Sequence, residues 1–305
     1  MGSKLTYILT AVLFMGSVAA WCQPNLPTTS QAIARVQEGD LTAAKELILQ
    51  ASTDPSENAD AYTWYVKGFI FKEIYKQIEK ANPYSENREV AIEAIKKSMA
   101  MDTEKKYLDN NTKAIEFLAT SYYNDAVRMS RSLNYENINE PERFYTRYKE
   151  TEGLVHPGKN YAAGDIELYR NLARACHNIY DNDHDRNEVF FDRGMKYYEL
   201  ALALKPDDYI SNYNVASGFY NQGVRFIRKI DYDTEIFELI LIQERCVALF
   251  KKALPYMQKA HVSDPKGKAA LKGLVAIYKS LSDDAKAAEY QAELERLIKE
   301  GAIRE

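Results

Sequence analysis

Chain breakers are scarce: 305 residues hold only 13 glycines and 9 prolines. A sequence so poor in turn residues does not suit a many-stranded sheet, and long helices are what remains. Three cysteines are too few for a disulfide scaffold in a chain of this length. Disorder as the main state is excluded as well, because 46% apolar residues and a net charge of -4 describe a packed globular chain. That small negative charge offers no general attraction for nucleic acid or anionic lipid. Histidines number four, at 156, 177, 184 and 261. His156 lies beside Pro157 and His261 near a helix end, so both are expected to be exposed. No Gly-rich phosphate loop, no His-Glu-x-x-His and no Gly-x-Ser-x-Gly occurs. The sequence therefore argues against an enzyme and implies no cofactor.

A long apolar run occurs once, at residues 7–20, preceded by the single cation Lys4. A basic start, an apolar middle and small residues behind it make a secretory signal. Fourteen residues of helix reach about 21 Å, short of a roughly 30 Å hydrocarbon core. Residues 1–22 read as a signal peptide cut between Ala20 and Gln23, followed by a linker over 23–28 and a helical domain over 29–305. Lipidation of Cys22 is disfavoured because Trp21 stands where a small residue is wanted. Met1-Gly2 with Thr6 matches a myristoylation pattern, but the apolar run directly behind favours export. No second stretch is long enough to span a membrane, so the mature chain is expected in the periplasm or secreted.

From residue 28 onward the apolar spacing is helical, with almost no alternation of period two. In 40–51, Asp40 is a good N-cap and Gly39 closes the preceding segment. Leu41, Ala44, Ile48 and Ala51 then fall on one stripe. The same reasoning predicts helices near 29–38, 40–52, 57–80, 85–101, 109–132, 140–153, 163–181, 185–204, 207–230, 233–262, 266–281 and 283–300. Twelve helices with short polar joints make about six hairpins. The last, charged on one side and apolar on the other, reads as a solubilising cap.

The hairpins resemble one another. Trp64, Gly68 and Phe71 place an aromatic, a small residue and an aromatic at offsets of four and three; Asn212, Ala216 and Phe219 repeat the spacing. Second helices carry small, large and small residues before a break: Gly194, Tyr198, Ala201 and Pro206; Ala253, Met257, Ala260 and Pro265; Ala91, Ile95, Ser98 and Thr103. Antiparallel helices approach closely only where small residues face one another, and a lone hairpin cannot bury its apolar stripe, so copies stack. On these residues the chain resembles the tetratricopeptide-repeat family over roughly 30–300, with the best local matches at 212–223 and 39–51. The breaks at Pro55, Thr103, Pro157, Pro206 and Pro265 are 48, 54, 49 and 59 residues apart, against a family period of about 34. The resemblance thus implies a right-handed all-α solenoid with lengthened repeats, and a non-enzymatic scaffold that binds another protein or peptide on its concave face.

Repeat position assigns that concave face to the first helix of each hairpin. Tyr65, Phe69 and Lys72 come from one unit; Glu116, Thr120, Tyr123 and Asn124 from the next. Arg170, Arg174, His177 and Asn178 follow, then Tyr213, Ser217, Tyr220 and Asn221. Aromatics with Arg and Asn are anchors for a bound polypeptide. The alternative role is an envelope accessory whose Tyr-rich face holds a glycan or small solute. Tyr75, Tyr122, Tyr169, Tyr198 and Tyr290 read as packing residues. Residues 181–192 place acids at alternate positions like a calcium loop, but Arg186 stands where such a loop needs Gly. A solvated joint with Asp185 capping the next helix, and no metal, is the expectation. Cys176 and Cys246 are expected to be free thiols, with Cys176 packed in the core.

Overall fold

The computed structural model describes residues 26–302. The expected signal and its cleavage site, with Cys22, lie outside them. Among the described residues there are twelve α-helices and no strand. They are α1 (Thr28–Gln37), α2 (Leu41–Ala51), α3 (Ala61–Glu73), α4 (Glu86–Met101), α5 (Leu108–Arg131) and α6 (Glu140–Glu152). Then come α7 (Ala162–Asn182), α8 (Glu188–Leu204), α9 (Tyr209–Arg228), α10 (Ile236–Ser263), α11 (Lys268–Ser280) and α12 (Asp284–Lys299). No described helix is long and apolar enough to cross a membrane.

Short-range chemistry sets five of the helix starts. The carboxylate of Asp40 accepts from Ala43 N, Asp60 from Tyr62 N, Asp208 from Ser211 N and Asp283 from Lys286 N, while Ser85 Oγ accepts from Arg88 N. Each side-chain oxygen satisfies an amide that the first turn leaves without a helical partner. Three helices start three or more residues later than expected; α10 begins at Ile236 instead of near 233, and the other two have visible causes. The helix expected over 57–80 starts at Ala61 and finishes as a π-helical turn, Ile74–Ile78, followed by Lys80 and Ala81 with positive φ. Arg88, almost wholly buried, supports this turn by donating to Tyr75 Oη at 3.2 Å and to the Pro83 carbonyl. The helix expected from 185 starts at Glu188 with Asn187 in the cap position; Asp185 instead accepts from Lys229 Nζ at 3.1 Å.

The chain divides into two compact units at 119/120, within α5. In the first, α3 and α4 run antiparallel. Ser98 Oγ donates to Ala61 O at 3.0 Å near one end, and Arg88 meets Tyr75 near the other. Between them Gly68 lets the backbones close: a β-carbon there would stand 2.5 Å from Ile95 Cγ1 and 3.3 Å from Ile95 N. The expected small-large-small residues Ala91, Ile95 and Ser98 are all buried. Helix α1 is tied in by Glu57, whose carboxylate accepts from Thr28 N and Thr29 N, both at 2.8 Å.

The second unit repeats the seam. Ser263 Oγ donates to Asp207 O at 2.8 Å, Phe219 packs on Tyr256, and Cys246 Sγ donates to Gly223 O at 3.3 Å, so α9 and α10 are antiparallel. A β-carbon on Gly223 would lie 2.6 Å from the Phe250 ring. Ala253, Met257 and Ala260 are buried and share one cluster with Ala216 of α9 and Leu274 of α11. Helix α12 buries Ala287, Leu294 and Leu297 on its inner side. Cys176 and Cys246 are free and buried, and burial pushes the Cys176 thiol up to about 12. Tyr75, Tyr122 and Tyr198 are buried; Tyr169 and Tyr290 are half-buried and stack on Tyr197 and Tyr278.

Candidate functional site

The residues assigned to a concave face have different fates in the two units. In the first, Tyr65 stacks on Tyr107 with centroids 4.9 Å apart and on Tyr62 at 6.2 Å, and its hydroxyl accepts from Asn110. Lys72 Nζ lies 4.9 Å over the Phe69 ring and 2.9 Å from Glu73. Burial raises the Glu73 carboxyl, but Lys72 and the amide of Gln77 outweigh it, so the carboxyl stays below its ordinary range. Glu116 is half-buried on α5. Tyr65, Phe69 and Lys72 are thus engaged by neighbours within the unit.

In the second unit two clefts flank α7. One, of about 530 Å³, lies between α5 and α7 and includes Tyr123, Asn124, Arg131, Glu167, Arg174 and Asn178 in its lining. The other, of about 550 Å³, lies between α7 and α9 and includes Arg174, His177, Asn178, Ser217, Asn221 and Arg225. Arg174 and Asn178 line both, because they project from α7 one turn apart. Seven residues read from the repeat positions thus reach the clefts. Thr120 is exposed on α5. Arg170, Tyr213 and Tyr220 do other work: Arg170 pairs with Asp208 at 3.4 Å, Tyr213 stacks on Tyr209, and Tyr220 packs on Phe250.

The polar groups of the second cleft are set by their surroundings. His177 bonds through Nδ1 to Ala173 O at 2.9 Å, so the proton sits on Nδ1 in the neutral ring, leaving the buried Nε2 as an acceptor with no hydrogen-bond partner. Burial lowers its pKa, against the pull of the Ala173 carbonyl, and keeps the imidazole neutral. Burial also pushes Tyr198 up to about 12. The Arg225 guanidinium lies 5.1 Å over the Tyr180 ring; its Nε and Nη1 and the Tyr180 hydroxyl are buried without partners. Arg225 and Tyr180 were not legible as site residues from repeat position. The spacing Asn214, Ser217, Asn221, Arg225 along one stripe of α9 is the signal that reaches the first of them.

Three carboxylates of the acidic joint at 181–192 have polar neighbours. Asp181 is 3.7 Å from His184 Nε2, Asp183 accepts from Arg186 N at 3.1 Å, and Asp185 bonds Lys229. Asp185 is therefore not the cap expected of it, since the register of α8 places Asn187 there. His156 is exposed as expected, but His261 is not: it is half-buried against Tyr290, with centroids 5.6 Å apart, because α12 folds over it.

No family model matches the chain, and no curated protein matches it. Among solved structures, Pseudomonas aeruginosa pilF is 13% identical, with 88% of this chain and 90% of that one covered, at a TM-score of 0.33. PilW, a type IV pilus biogenesis factor, is 15% identical, covering 91% and 94%, also at 0.33. Human IFIT1, solved as a dimer with m7Gppp-AAAA, is 14% identical, covering 88% and 67%, at 0.33. Scores of this size establish neither a shared fold nor a shared role, and the fold rests on the seams described above. Those seams, small against large along antiparallel helix pairs, make this an all-α protein whose hairpins resemble those of the tetratricopeptide-repeat family.

Proposed function

We propose that this chain is an exported, non-enzymatic scaffold that binds a polypeptide segment across α7, in the two clefts that share Arg174 and Asn178. That shared lining is the observation that carries the reading: adjoining clefts on one helix accept an extended chain better than a compact solute. Their walls combine aromatic, guanidinium and amide groups, which suit backbone and side-chain contacts together. Export rests on residues 1–22, with their basic start, apolar middle and small residues. The mass of the purified mature chain tests it, since export predicts a start between Trp21 and Gln23.

Selection of a displayed random-peptide library on the folded chain tests the binding role. Enriched peptides are expected to lose at least tenfold in affinity for an Asn178→Trp variant, whose ring crowds the wall that the two clefts share. Full affinity for that variant, or no enrichment at all, contradicts the proposal.

A further inference from the structure

The cleft between α7 and α9 carries more positive charge than the rest of the chain leads one to expect. The protein is net -4, yet this cleft is lined by Arg174, Arg225 and Arg228 against one acid, Asp181. Asp181 is itself beside His184 at 3.7 Å. Asp185, in the neighbouring joint, faces Lys229 at 3.1 Å. No carboxylate of the joint is therefore hydrogen-bonded to Arg225, whose Nε and Nη1 lack partners.

The guanidinium is also held in place. It lies over the Tyr180 ring at 5.1 Å and within 5.8 Å of Phe226, so aromatic contacts restrict it while Nε and Nη1 stay without acceptors. Buried donors without acceptors cost free energy, and a carboxylate is the acceptor that matches a guanidinium fork best. His177 adds the complementary element. Its Nε2 is a buried acceptor on the same cleft wall, and Gly218 opposite it carries no side chain, so a β-carbon there would come within 3.7 Å of that nitrogen. An amide N–H of a polypeptide satisfies such an acceptor, whereas a bare anion does not.

We infer that the α7–α9 cleft reads an acidic side chain of a bound polypeptide, with Arg225 taking the carboxylate and His177 Nε2 accepting a backbone amide. The inference rests on the binding role proposed above and names its partner class. Arg225 is the specificity-determining residue; Arg174 and Arg228 set the field that draws the acid in.

Fluorescence anisotropy with three labelled probes tests it: a Gly-Glu repeat peptide, its Gly-Gln analogue and its Gly-Lys analogue, with free glutamate and inorganic phosphate as competitors. The Glu peptide is expected to bind at least tenfold tighter than the Gln peptide, and to weaken as salt rises from 50 to 200 mM. Arg225→Gln is expected to erase the difference between the two, with a melt confirming the fold. Arg228→Gln, at an exposed position, is expected to weaken the Glu peptide about threefold and guards against loss of fold in the first variant. Equal binding of Glu and Gln peptides, or a Glu preference that survives Arg225→Gln in a folded protein, overturns the inference. Tighter binding of the Gln or Lys peptide overturns the acidic class but leaves the polypeptide role standing. Displacement of the Glu peptide by phosphate or free glutamate at the peptide's own concentration overturns recognition of a polypeptide. If none of the three probes binds and the display selection also fails, both readings fall together.

Discussion

The first and second units take the same first-helix positions, but only the second leaves some of them open. Tyr65, Phe69 and Lys72 are engaged with Tyr62, Tyr107 and Glu73, leaving little of their polar surface unassigned. Asn178, Ser217 and Asn221 line open clefts beside buried atoms that lack partners. A shared repeat position is therefore not a shared role. What separates the two is whether the next aromatic or acid along the chain, here Tyr107 and Glu73, reaches back to occupy the face.

The seams should behave alike in both units, which is the largest effect expected. Gly68→Leu and Gly223→Leu each force a side chain into space held by Ile95 or Phe250. Each is expected to cost about 3 kcal/mol by overpacking, measured by urea unfolding. A tolerated substitution at either site would break the claim of a common seam. The groove positions should then differ. Tyr65→Ala is expected to cost about 1–2 kcal/mol through its lost stack. Asn221→Ala, on an exposed cleft wall, is expected to change stability by less than about 0.5 kcal/mol. Equal costs would erase the distinction between the units.

Acid sharpens the contrast further. Burial lowers the His177 pKa below its ordinary 6.5, so the unfolded chain takes up a proton that the folded chain resists. The stability linked to this group is fully present above about pH 6.5 and is lost as pH falls through the lower folded value. The unfolding midpoint should therefore drop on acidification from pH 7 to 5, more steeply in the wild type than in His177→Gln. Parallel pH profiles for the two would show that the ring is not held neutral by its site. The smallest effect is expected from calcium, because Asp183 and Asp185 already accept from Arg186 N and Lys229 Nζ, and Arg186 stands where a calcium loop needs Gly. Melting curves with calcium should match those at equal ionic strength of sodium chloride, and a rise confined to calcium would contradict that reading of the joint.

Much of the fold was legible because its causes are local. Asp40, Asp60, Ser85, Asp208 and Asp283 cap within three residues of themselves, so a helix start shows in a short window. Gly68 and Ala253 mark close approach because a small residue on an apolar stripe has few other uses. The misread places depend on distant partners. The π-helical turn at 74–78 is held by Arg88, Asp185 is drawn to Lys229 instead of capping, and His261 is covered by α12. Tyr180 and Arg225 escaped for the same reason: each gains its meaning only when α7 and α9 lie side by side.

The most direct test is photo-crosslinking in living cells, with a benzophenone side chain placed in turn at Asn178, Asn221 and Tyr65. If the open clefts of the second unit are where a partner lies, adducts form from 178 and 221 and not from 65. Adducts from 65 with none from 178 or 221 would contradict the assignment of the binding face.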